Sequence, residues 1–420
     1  MSRLFDTLFG AEVRAALDAA FANARERFGD PKPIEGVDGT APLWCRRTGT
    51  TDLPVPIYVG ALVPPGQLVK ILFEVQTPDG RWRPLLAVND ERFFAMADLA
   101  TLIETHIEEA YRPPARPVST RLPFDYRAVP PVLRVLIHNL LVRWRKARRP
   151  NIAKGVFPIW DAPGLFEAWM TPLGHVPTPT AVPLPFVFSH DVDGAEQLPF
   201  AKRIAGAERE RGVVAGFFLP AKLLRENAAD VDAIAALGHE IGVHGVRHDN
   251  RQLLYAPDDY ARQLDDYRPE IERYNATGYR APCLLTSPAL RKVLSGRFAY
   301  DSSQPDTDVY AEAGDHHGCA HLRPFTFEGL ARLPVTLPLD DRLHTLGSRD
   351  FVRLWREKMT YLQLRGGAAV LCTHANDLHY PQGFEPILDG LLQAISDLGD
   401  FSIMPPATAA QWSPNRDESR

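Results

Sequence analysis

The stretch PFVFSHDVDG, residues 185–194, decides how this chain is read. Pro185, Phe186, Val187 and Phe188 form an apolar run. Ser189, His190, Asp191, Val192 and Asp193 follow, and Gly194 closes the stretch. The pattern predicts a buried strand that ends in two carboxylates. Residues i and i+2 of a strand face the same side. Two like charges there repel unless a cation stands against them or one takes up a proton. The rest of the chain has to supply that counter-charge.

From residue 184 onward, strand-like and helix-like segments alternate: 184–189, 197–210, 213–219, 228–237, 240–244, 257–273, 278–280, 288–295, 298–301, 330–337, 349–365, 368–374, 384–397 and 401–404. This alternation implies parallel strands joined by right-handed crossovers. The expected fold class is α/β, a distorted (β/α)7-type barrel over 184–410, with its chemistry at the C-terminal strand ends. Polar residues gather at those ends: Asp191 and Asp193, then His239 to His248, then Tyr279 and Arg280, then Asp301, Ser302 and Ser303, and finally Cys372, Thr373 and His374.

Residues 1–111 predict a small N-terminal α+β domain. It has a helix over 1–28, a strand near 55–59, a hairpin of 68–75 with 82–88 turned by Pro78, Asp79 and Gly80, and a helix over 93–111. Residues 112–183 are proline-rich and read as a linker. Inside it, 132–149 (VLRVLIHNLLVRWRKARR) predicts an amphipathic helix with a basic end, carrying His138 as a structural residue. The favoured reading packs this helix on its own protein, with cations at its C-terminus. The alternative is a peripheral helix at an anionic membrane surface.

A net charge of −5 over 420 residues argues against a nucleic-acid partner for the whole protein. Cys45, Cys283, Cys319 and Cys372 are scattered, without disulfide-framework or zinc-ribbon spacing, which suits a reducing compartment. The N-terminal segment is charged throughout and does not read as a signal peptide. No run approaches the length of a spanning helix. The expected location is cytoplasmic, with the inner membrane face as the peripheral option.

His244 and His248 stand four apart, a spacing that puts two imidazoles on one face of a helical turn. With one carboxylate they make a His2Asp set that leaves open positions on Zn2+ or a similar divalent ion. Such an ion would neutralise one aspartate, and Arg280 could hold the other ionised.

In this order the residues resemble the NodB-type polysaccharide deacetylases, carbohydrate esterase family 4, in the branch with an Asp-x-Asp motif. The resemblance covers roughly the last 235 residues. It implies a NodB homology domain in which Asp191 is the base, and Asp193, His244 and His248 are the metal ligands. Arg280 pairs with the base, and Pro282 belongs to the substrate pocket. Asp301 tunes the catalytic histidine, and His374 is the general acid. Cys283 departs from the family, which commonly has an aromatic there. The implied cofactor is Zn2+, with Co2+, Ni2+ or Mn2+ as substitutes. The implied reaction is hydrolysis of an N-acyl group, an acetyl or formyl, from an amino sugar of a glycan or of a lipid- or nucleotide-linked precursor. A small-amide or formamide hydrolase and a non-catalytic sugar-binding module are the competing readings. A further histidine pair, His317 and His321, lies in 314–321 and is expected at the pocket rim, with His321 touching substrate. Asn376, Asp377 and His379 are expected on the same rim, while His190 and His239 are expected to buttress strand ends.

Overall fold

The computed structural model describes residues 4–37, 43–50, 55–64, 66, 70–111, 129–130, 133, 136–137, 140, 162–175, 182–307, 318–345, 350–376 and 379–414. His138, His316, His317 and Asp377 lie outside the described residues, as does most of the 112–161 stretch. The chain divides into two compact units: Met1–Pro113 with Pro158–Thr178 and Thr307–His321, and Pro114–Phe157 with Pro179–Asp306 and Leu322–Arg420.

The first unit is α+β. The expected opening helix is two helices, α1 (Leu4–Phe9) and α2 (Ala11–Phe28), broken at Gly10, where φ is +89°. A five-stranded antiparallel sheet follows, built from β1 (Leu43–Arg47), β2 (Val55–Ile57), β3 (Lys70–Gln76), β4 (Trp82–Asn89) and β5 (Arg92–Ala95), in the order β2-β1-β3-β4-β5. The hairpin turned at residues 78–80 is present, with Thr77 and Arg81 bonded across it. The helix expected over 93–111 is corrected. Phe93 and Phe94 belong to β5, and α3 is only Leu99–Ile107, started by an Asp98 side-chain cap on the Thr101 N–H. A further helix, α4 (Ala162–Met170), stands within the stretch read as linker. Its buried Leu165, Phe166, Trp169 and Met170 recur at helical spacing, a signal masked by the surrounding prolines.

The second unit is the α/β barrel. Its main sheet runs, edge to edge, β12 (Phe325–Phe327), β13 (Leu330–Arg332), β11 (Tyr300–Asp301), β10 (Gly278–Tyr279), β9 (Glu240–Val243), β8 (Gly216–Leu219), β7 (Ser189–Asp191) and β15 (Thr373–His374). Every pairing is parallel except β12 with β13. A smaller parallel sheet at the base joins β14 (Ala369–Val370), β6 (Leu184–Val187) and β16 (Phe401–Ile403). Closure is completed by single bonds: Leu337 N–H donates to Val370 O, and the Thr336 hydroxyl donates to Ala368 O. The barrel is therefore curled and incompletely sealed. Three helices matter for the site: α5 (Leu198–Glu210), α6 (Phe351–Arg365) and α7 (Glu385–Leu398). They bury Ile204, Trp355 and Leu391 in one core with Phe186, Phe188 and Phe217.

Gly278 shows how tightly the strands lie. A Cβ there would stand 2.2 Å from the Tyr300 ring, whose hydroxyl donates to Glu240 at 2.6 Å. Gly278→Ala is expected to destabilise the protein by about 1–3 kcal/mol through overpacking. Urea denaturation monitored by circular dichroism measures it; an unchanged midpoint would contradict this packing.

Candidate active site

The counter-charge demanded by the opening stretch is Arg280. Its guanidinium is fully buried and reaches Asp191 Oδ1 at 2.9 Å, Ser189 Oγ at 2.9 Å, Ser302 Oγ at 3.0 Å and Ser302 O at 3.0 Å, while its plane lies 4.1 Å from the centre of the Phe218 ring. A buried cation needs this degree of satisfaction. Arg280 follows β10 directly; β9 and β8 stand between β10 and β7 in the sheet, and the long side chain crosses their ends to reach Asp191. Burial alone would raise the pKa of Asp191. His244, Arg280 and His374 outweigh burial and hold the carboxylate below its ordinary range.

Asp193 lies two residues beyond the strand, its N–H donating to Gln197 Oε1 at 2.6 Å. Its Oδ1 is 3.1 Å from His248 Nε2 and 3.6 Å from His244 Nε2. His244 Nε2 is also 3.8 Å from Asp191 Oδ2. Against the cost of burial, His248 and His244 hold Asp193 well below the ordinary carboxylate range. The helical turn expected for the two histidines is corrected: residues 244–250 form a bend after β9. Gly245, at φ +69°, makes that bend possible, and a Cβ there would strike Pro282 at 2.9 Å. Pro282 is buried against this turn, with its carbonyl accepting from Gln252 at 2.9 Å. It thus supports the histidine loop. Cys283 and Leu284 beside it both hold φ of +54°, local strain of the kind that collects at functional loops.

Asp193, His244 and His248 present one oxygen and two imidazole nitrogens within 4.8 Å of one another. The donor set fits a divalent ion of the zinc class. His244 Nδ1 donates to Arg280 O at 3.0 Å, which leaves Nε2 with its lone pair toward Asp193. That is the outer bond by which metal-binding histidines are oriented.

His374 ends β15, and its partner is not Asp301. Its Nδ1 is 2.7 Å from Asp340 Oδ1, and its backbone N–H donates to Asp340 Oδ2 at 2.9 Å. Asp301 sits at the end of β11 and is engaged by other groups. It accepts instead from Ser303 Oγ and lies 3.8 Å from Arg332, and burial raises its pKa. Asp340 is the carboxylate that sequence reading missed. It lies three residues past the expected 330–337 strand, where the same strand-end logic would have found it. Its oxygens also accept from Tyr380 Oη at 2.8 Å and His379 Nδ1 at 3.0 Å. Asp340, His374 and His379 form a second group of possible metal donors. Both histidine Nδ1 atoms already face the carboxylate, so we read the group as a hydrogen-bond hub.

Asn376 is half-buried just beyond His374, its N–H bonded to His374 O at 2.7 Å. His321 belongs to the first unit, edge-on to Phe9 at 6.3 Å. His239 staples β8 to α5: Nδ1 accepts from the Ala215 N–H at 3.1 Å and Nε2 donates to Ala205 O at 2.9 Å.

Burial works to lower the pKa of His374, but the Asp340 carboxylate overrides it, and the imidazole titrates well above its ordinary value. Asp340 in turn is held far below the carboxylate range by His374 and His379. The pair therefore stabilises the fold above the unfolded Asp pKa of about 4. That stabilisation is lost as pH rises through the folded His374 value. Asp340→Asn should drop the His374 pKa to about 6.5 or below, whereas Asp301→Asn should leave it raised. NMR titration of the His374 ring checks this; the opposite pattern would restore Asp301 to the role.

Residues 193–295 match the family model described as polysaccharide deacetylase. No curated protein matches the chain. Solved structures similar to it include a candidate polysaccharide deacetylase from Mycobacterium smegmatis, at 22% identity and TM-score 0.42 over 56% of this chain and 94% of that one. Another is the chitin deacetylase of the fungal pathogen Colletotrichum lindemuthianum, at 13% identity and TM-score 0.37 over 58% and 99%. A third is a CE4 family pseudoenzyme from Bacillus anthracis, at 16% identity and TM-score 0.37 over 56% and 70%. The match spans Asp193, His244, His248 and Arg280, within an α/β barrel of the NodB-like kind; Asp191, Asp301 and His374 lie outside it.

Proposed function

We propose that the protein is a metal-dependent hydrolase that removes an N-acyl group, acetyl or formyl, from an amino sugar. The observation that carries this reading is the convergence of three different groups at adjoining strand ends. They are an ionised aspartate on a buried arginine, a His2Asp donor set, and a histidine held on a second carboxylate. Nothing in folding alone calls for these together, and each has its own task in amide hydrolysis.

Asp193, His244 and His248 would hold the ion. A divalent ion there supplies Lewis acidity that makes water more acidic and polarises an acyl oxygen. Asp191 is placed to take the proton from the attacking water, and Arg280 keeps it ionised and fixed in direction. His374, oriented through Nδ1 by Asp340, presents Nε2 as the donor that protonates the leaving nitrogen. The products are a carboxylate and a free amine. Cys372, whose thiol donates to Asp191 Oδ2 at 3.3 Å, is pushed well above its ordinary pKa by burial and stays a thiol beneath the base.

We infer further that the substrate is carried on lipid. Leu133, Leu136, Ile137 and Leu140 have helical backbone and are 48%, 54%, 50% and 56% exposed. Their spacing puts them on one helix face, and their exposure supports the surface reading over the packed one. Residues 126–160 carry Arg127, Arg134, Arg143, Arg145, Lys146, Arg148, Arg149 and Lys154 and no acidic residue. An exposed leucine stripe in so basic a segment suits an anionic lipid surface. Among the described residues, no helix is long and apolar enough to cross a membrane.

Two measurements test these readings. Wild type should release acetate or formate from N-acylated amino-sugar oligosaccharides, and Asp191→Asn should lose about 10²–10⁴-fold in kcat while still binding them. Near-wild-type turnover in the variant would remove Asp191 from the role of base. Sugar binding without turnover in the wild type would support the non-catalytic module. Separately, wild type should co-sediment with phosphatidylglycerol-containing vesicles at low salt, and Leu136→Glu with Ile137→Glu should abolish this. Equal sedimentation of both proteins would contradict the membrane reading.

A further inference from the structure

Glu208 raises a question that the proposed chemistry leaves unanswered. It lies on the core face of α5 with Leu198, Ala201, Ile204 and Ala205, and it is fully buried. Its Oε1 accepts from His190 Nε2 at 2.8 Å. The other ring nitrogen, Nδ1, shares a 2.7 Å hydrogen bond with Thr373 Oγ1. His190 is fully buried as well, its ring 4.9 Å from that of Phe217 and 5.4 Å from that of Phe384. We propose that Glu208, His190 and Thr373 form a positioning clamp that sets the distance between the base Asp191 and the acid His374.

The strand register carries the argument. His190 pairs with Thr373, and the next residues along, Asp191 and His374, pair with each other. Side chains alternate across a strand. The clamp is therefore built on one face of the strand pair, and the chemistry projects from the other. Ser189 and Cys372 share the face of the chemistry: Ser189 Oγ bonds to Arg280, and Cys372 bonds to Asp191. A small slip of β15 along β7 would move His374 relative to Asp191 by the same amount.

The backbone pairing is broken beside this pair. β6 pairs with β14 and β7 with β15 at one common register, but the two paired stretches are separated at Phe188 and at Leu371 and Cys372, and the β7–β15 stretch is two residues long. A buried acid–imidazole pair is a poor device for stability, because well-packed apolar side chains of similar volume often serve as well or better. It does restrain direction, since hydrogen bonds in a low-dielectric interior are stiff and mutually reinforcing. Local choices that work against stability tend to mark sites where geometry is needed. The clamp reaches from α5 through His190 to the strand that bears the acid, and it touches no reacting atom.

The kinetic test rests on the deacetylase reading, so it is paired with one that does not. Glu208→Met keeps the volume and removes the acceptor. It should lower kcat about 10–100-fold with KM unchanged, the cost expected when a catalytic group is misplaced by a fraction of an ångström to one ångström. Glu208→Gln retains an acceptor oxygen and should recover most of the loss. The activity-independent arm is amide hydrogen exchange. The Ala375 N–H bonds to Asp191 O at 3.0 Å and the Leu371 N–H to Val187 O at 2.9 Å; both should exchange faster in Glu208→Met. The His244 N–H, bonded to Leu219 O at 2.7 Å in the neighbouring pairing, should not change. Wild-type kcat in folded Glu208→Met, or exchange at Ala375 and Leu371 no faster than in wild type, would overturn the clamp. If the wild type itself shows no turnover, the deacetylase reading fails and the exchange result alone decides the clamp.

Discussion

The contact between Arg280 and Asp191 is the constraint on which the rest of this barrel depends. Both side chains are buried, and neither charge is tolerable there without the other. Truncating one partner of such a pair typically costs about 3–5 kcal/mol, because the remaining charge is left without compensation. The surrounding sequence serves this requirement. Ser189 and Ser302 stand where they can accept from the guanidinium, and Phe218 offers it a ring face. The carbonyl of Arg280 then orients His244. One buried arginine thus fixes the direction of the Asp191 carboxylate and the tautomer of His244.

Much of the site was legible because a parallel barrel delivers its chemistry to strand ends. Asp191, Asp193, His244, Arg280 and His374 each follow a recognisable apolar run, and reading those runs placed all five. Asp340 was harder to see. Its relation to His374 depends on how the sheet curls, with the segment after β13 crossing to meet β14 through Thr336 and Leu337. Asp301, at the end of a clear strand, attracted the assignment instead. The closure of the sheet, which no local pattern encodes, decides between them by bringing Asp340 onto the His374 N–H and Nδ1. The bend carrying His244 and His248 shows a related limit. Four-residue spacing is shared by helices and by tight loops, and only the positive φ of Gly245 separates the two.

Errors in the first unit have simpler causes. Phe93 and Phe94 continue an apolar pattern into α3 and conceal the strand that precedes it. Pro163 gives the start of α4 the texture of a linker, although proline is well suited to a helix's first turn. These are failures of boundary and punctuation. The alternation of hydrophobic periods that sets the α/β class of the second unit survives them.

The account's central claim is that Asp193, His244 and His248 hold a divalent ion beside an ionised Asp191. Elemental analysis of purified wild type beside His244→Ala tests it most directly. The arrangement predicts about one divalent ion per chain in wild type and a large loss in the variant. No bound metal in either protein after incubation with Zn2+, Co2+ or Mn2+ would contradict it. An unchanged metal content in His244→Ala would also contradict it, and would move the ion to the carboxylate hub at Asp340.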